Sequence, residues 1–209
     1  MKEFGMGRTR AGKFAAVSVP ALAVSLGFGV AIAQGLVSAT LSSANGFELA
    51  GSKTTATSMK LGLGTAQVAG AAGATDKQAA VADMAGTKLT GMCMAANDTI
   101  PVFGNIGVKI ATAPADITDV GAVTLNAASI TAGTTDLPKT TVGQAASEAG
   151  VSSSSANPNG FALTSVSQSG TDLVDLTGMN ATAYALTLES GLTLSSLNVT
   201  PTTSTATCG

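Results

Sequence analysis

Residues 184–199 read YALTLESGLTLSSLNV, and this stretch decides the fold. Tyr184, Leu186 and Leu188 alternate with Ala185 and Thr187. Leu192 and Leu194 then alternate with Thr193 and Ser195, and Leu197 and Val199 continue after a one-residue phase shift. Apolar residues alternating with Thr or Ser form the period-two pattern of half-buried strands, and the shift marks a bulge or a turn. Working outward, Val123 and Leu125 flank Thr124 and lead to Ile130, while Phe103, Ile106, Val108 and Ile110 give another strand, with bends at Gly104 and Gly107. Residues 69–86 are ambiguous, and the Ala-rich run 77–85 fits a helix by propensity. Its approach VAGAAGA (68–74) reads as a loop, and SSSSANPNG (152–160) as a polar surface loop. The expected architecture is mainly β: an antiparallel sandwich or wrapped sheet after one N-terminal apolar helix.

Composition narrows the chemistry. Ala, Thr, Gly and Ser supply 112 of the 209 residues, only seven residues are aromatic, and there is no histidine. The missing histidine removes Ser-His-Asp and Cys-His constellations and imidazole metal sites. Few aromatics and few basic residues leave neither the stacking platform nor the phosphate-neutralising patch of a nucleic-acid binder.

The basic residues are unevenly placed: Lys2, Arg8, Arg10 and Lys13 precede the uncharged apolar run FAAVSVPALAVSLGFGVAIA (14–33). A basic leader, an apolar stretch and a small-x-small exit is the layout of a secretory signal. Both Ala31-Ile32-Ala33 and Val37-Ser38-Ala39 fit the exit. Because about 20 apolar residues also span a bilayer, a cleaved signal and a retained anchor both remain open. The expected division is residues 1–39 as signal peptide or anchor and 40–209 as an exported β-rich domain. Beyond residue 33, six lysines face eleven acids, net −5, a mildly acidic surface. Cys93 and Cys208 both lie in this portion, and an even pair in an oxidising compartment is expected to form one disulfide. That bond requires the strand at 192–199 to run near the strand through Cys93, with the Thr-rich tail folded over its end.

The sequence also holds an internal echo, open to two readings: two similar strand-turn-strand units, or coincidence in a Gly/Thr-rich chain. Leu89-Thr90-Gly91-Met92 recurs as Leu176-Thr177-Gly178-Met179, each followed by a glycine, Gly104 or Gly191, and an alternating run. The spacing is too wide for a solenoid of short repeats but suits two similar units in one sheet system.

The leader GRTRAGKFAAVSVP…AQG, the blocks KLTGMCMAANDTIPVFGNIGVKI and GAVTLNAASITAG, and the end AYALTLESGLTLSSLNVT with a penultimate Cys occur in one order. In this order the chain resembles a family of actinobacterial exported proteins of unknown function, some of which carry the automatic label "cholesterol esterase". The resemblance implies export, a β-rich fold and a membrane neighbourhood, and it supplies no catalytic motif.

Chemistry tests that label. Ser165-Val166-Ser167-Gln168-Ser169-Gly170 is the nearest approach to a nucleophile elbow, but it lacks the first glycine and there is no histidine base. The acid pairs Asp116/Asp119 and Asp172/Asp175 suit glycoside cleavage or a hard cation in principle, and turn or cap roles more simply. Asn97, Asn180 and Asn198 each begin an N-x-[ST] triplet, a glycosylation acceptor where the host has that machinery. No catalytic residue, cofactor or metal ligand is assigned. The expected function is a non-enzymatic cell-envelope protein with a structural or assembly role at the outer side of the membrane. Its partners would be membrane or envelope components, or further copies of itself. The alternative is a binder of lipid or another apolar ligand, and an esterase ranks third.

Overall fold

The computed structural model describes residues 39–70, 73–100, 104–151, 156–189 and 196–209. The expected N-terminal helix at 14–33 and the alternating residues 192–195 lie outside them. Among the described residues no helix is long and apolar enough to cross a membrane.

Among the described residues eleven strands form one antiparallel sheet: β1 (Ala39–Ala56), β2 (Ser58–Gly70), β3 (Gly73–Thr90), β4 (Cys93–Ile100), β5 (Gly104–Ala111), β6 (Ile117–Thr131), β7 (Thr134–Asp136), β8 (Thr140–Ala145), β9 (Phe161–Val166), β10 (Val174–Leu188) and β11 (Asn198–Thr202). One short helix, α1 (Ala146–Ala149), follows β8. The order is β11-β5-β4-β1-β10-β6-β3-β2-β9-β8, with β7 beside β10 and an extra pairing of β1 with β3. That extra pairing bends the sheet back on itself. Along one edge of β1, Leu49 and Ala50 pair with Met94 and Cys93 of β4, while Lys53 and Thr54 pair with Thr90 and Leu89 of β3. β3 thus passes into β4 across Gly91, whose φ of 59° suits glycine and whose added Cβ would lie 2.8 Å from the Pro114 carbonyl oxygen. A strand that changes neighbours at a kink is how a sheet turns a corner.

The Ala-rich stretch 77–85 is strand, not helix. Tertiary pairing overrides its propensity: β3 pairs with β2 in unbroken register from Gly70↔Gly73 to Ser58↔Ala85, and also with β6. The VAGAAGA loop is likewise the far end of this hairpin, apart from residues 71 and 72, which are not described.

Cross-strand register builds the core as apolar rows. One row runs Val142, Leu163, Leu61, Ala82, Leu125, Leu186 and Leu41 across seven strands, each residue paired directly with the next. The adjacent row is Met59, Met84, Val123 and Leu188, all buried. Burying this face is the main source of stability. The opposite face of β2, β3 and β9 is covered where α1 and Val151 pack on Val81 and Ala162.

Candidate functional site

The two LTGM units meet on β1. Lys53 lies between Thr90 and Thr177, and Thr54 between Leu89 and Leu176, so one copy flanks each edge of the same strand. Gly91 and Gly178 both have positive φ, and Met92 and Met179 are both buried. Thr54 donates to Met179 Sδ at 3.6 Å, and Lys53 Nζ stands 2.7 Å from Asp175 Oδ2.

The C-terminal tail is held by three residues, Cys93, Asn97 and Glu48. Cys93 and Cys208 are disulfide-bonded, with Cα atoms 5.7 Å apart. Asn97 clamps Ala206 on both sides: its Nδ2 donates to the Ala206 carbonyl at 2.9 Å and its Oδ1 accepts the Ala206 N–H at 2.6 Å. Glu48 accepts the Cys208 N–H at 2.8 Å through one oxygen and the Asn180 amide at 2.9 Å through the other. Gly107 lies beneath Ala206, and this close approach, rather than a bend, is what it provides. β11 pairs with β5 and not with β4, so the strand after residue 197 lies one strand away from the one that carries Cys93, and the tail crosses β5 to reach it.

The other candidates are engaged in hydrogen bonds within the fold. Ser165 is fully buried and donates to the Pro138 carbonyl at 2.7 Å, so its proton faces an acceptor with no basicity to activate it. Ser167 donates to the Ser169 carbonyl, and Ser169 pairs with Thr171. Asp116 accepts from Ser196, Asp119 from the Gly121 N–H, and Asp175 from Thr177 as well as Lys53. Only the Asp119 contact is a local turn contact; Asp116 reaches a distant segment at Ser196, and Asp175 lies within β10 and pairs across to Lys53 of β1. The amides of Asn97 and Asn180 are engaged as above, while Asn198 is exposed on β11. No cluster of three or more Cys, Asp or Glu that fits a metal occurs among the described residues.

One feature escaped the sequence. A cavity of about 130 Å³ opens among β2, β3, β6 and β10, walled by Met59, Leu61, Met84, Leu125, Leu176 and Met179. Its rim is Ile130, Thr131, Ala132 and Thr135, half-buried or exposed. Alternation puts these residues on one face but says nothing of how completely they fill it. The methionines were the available signal, since flexible thioethers suit irregular space.

The chain matches no curated protein and no solved structure. Residues 37–209 match the model of DUF6230, a family of unknown function, from just before β1 through the tail clamp to the last residue, and the chain belongs to that family.

Proposed function

We propose that the chain is a non-enzymatic component of the cell envelope, exported across the cytoplasmic membrane, with a structural role on its outer side. The observation that carries this reading is the Cys93–Cys208 bond, because structural disulfides form and persist in oxidising compartments. The basic leader and apolar run agree with it, and the engaged hydroxyls of Ser165, Ser167 and Ser169 favour no hydrolase. Contacts with neighbours would use faces rather than strand edges. Edge strand β11 contains Pro201, which offers no N–H, and edge strand β8 is bulged at Gly143, φ 86°. Fractionation of native cells with intact-mass measurement tests the reading. The expected result is protein in the envelope fraction, two hydrogens lighter than its reduced form, with no turnover of p-nitrophenyl butyrate. Cytoplasmic protein with two free thiols would overturn the location, and ester turnover the non-enzymatic role.

A second reading, binding of a lipid or another apolar ligand, is favoured by the cavity beside Met59, Met84 and Met179.

A further inference from the structure

We infer that this cavity is a binding site for the end of an uncharged alkyl chain, with the rest of that alkyl chain lying on an apolar track that leads from Leu61 in the cavity wall to edge strand β8. The inference rests on the second reading above. Size sets the first limit. An apolar cavity of about 150 Å³ stays dry and accepts benzene or xenon, so about 130 Å³ takes a few carbons and excludes a headgroup or a whole lipid. Charge sets the second, because no charged residue lines the cavity, and an ion buried there would lack a partner.

The track follows from register. Leu61 at the cavity pairs with Leu163, which pairs with Val142. Leu63 and Phe161 lie two residues beyond Leu61 and Leu163 on the same face. Leu63 is 55% exposed, Phe161 51% and Val142 60%, which is unusual for three large apolar side chains side by side. An alkyl chain explains both features together: its end fills the void and its length covers the track. A second copy of this protein docked on the track would leave the void unfilled. Met59 and Met84 face each other across β2 and β3, and with Met179 they let the wall adapt to chain ends of different shape.

The test uses the full chain with ¹³C-methyl methionine, titrated with methyl laurate and followed by NMR. The expected result is a saturable movement of the Met59, Met84 and Met179 methyl signals, with those of Met92 and Met94 unmoved. Ala82→Leu, which fills the cavity from its wall, should weaken the response at least tenfold and raise the unfolding midpoint. If that variant does not fold, Ala132→Leu at the rim should block the response instead. Three outcomes would overturn the inference: no movement, movement of all the methionine methyls alike, or a response to xenon alone. Dimerisation that Phe161→Ser abolishes, with the three methyls unmoved, would assign the track to a second copy and likewise overturn it. A lipid that co-purifies by native mass spectrometry while the three methyls stay unmoved would keep the broader apolar-ligand reading and reject this site.

Discussion

At Gly107 an added Cβ would lie 2.7 Å from Asn97 Oδ1 and 2.9 Å from both the Cβ and the N of Ala206, so any side chain there pushes the tail off its seat. Gly107→Ala should therefore lower stability by about 1–3 kcal/mol, the usual range for overpacking, measured by thermal or urea denaturation. Gly62→Ala is the control: its Cβ would meet Val151 and Ala146 at 3.4–3.7 Å, ordinary contact, and the midpoint should shift much less. A different residue test concerns Thr118, which is fully buried with no partner for its hydroxyl among the described residues. Thr118→Val keeps the shape and removes an unsatisfied group, so the unfolding free energy should rise, by about 1 kcal/mol. Ser165→Ala should act oppositely. It removes one of the two hydroxyls that donate to the Pro138 carbonyl and leaves Thr140 Oγ1 at 2.9 Å, for a loss of about 0.5–1.5 kcal/mol with no effect on any ester assay. None of these effects was legible in the sequence, because each depends on what a residue meets from a distant part of the chain.

Among the strands, local pattern was a good guide where apolar and polar residues alternate strictly. Val123 to Ile130 and Tyr184 to Leu188 are strands as their period says. It failed where both faces are covered by small residues. Ala79, Val81 and Ala82 of β3 are all buried, Val81 against α1 and Ala82 in the main core, so no polar partner breaks the run and helix propensity reads the same letters. The LTGM echo was legible as two related units. That both would flank one strand was not, because Lys53 and Thr54 of β1 carry no mark of it. The ion pair of Lys53 with Asp175 looks prominent at this junction, yet Lys53 is about half exposed. Lys53→Ala should cost no more than about 1 kcal/mol in chemical denaturation, less in high salt.

For the molecule as a whole, the bond between Cys93 and Cys208 closes a loop with a sequence separation of 115, and chain entropy assigns such a loop about 4–5 kcal/mol. Reduction should lower the melting temperature, and carboxypeptidase should then trim the tail before the core melts, since Asn97 and Glu48 alone remain to hold it. A reduced protein with unchanged melting and an intact tail would contradict this. The pairing of β1 with β10 also governs timing. Ala39 opens the described fold and its partner on β10 is Leu188, so one edge of the central strand, opposite the edge that β3 and β4 cover, waits for residues 174–188. A polypeptide threaded through a pore from its N-terminus would keep that edge unpaired until these residues emerged, and contacts this remote make for slow, late assembly. Cys208 arrives later still, which makes the disulfide a seal on strands already paired and not a guide to their pairing.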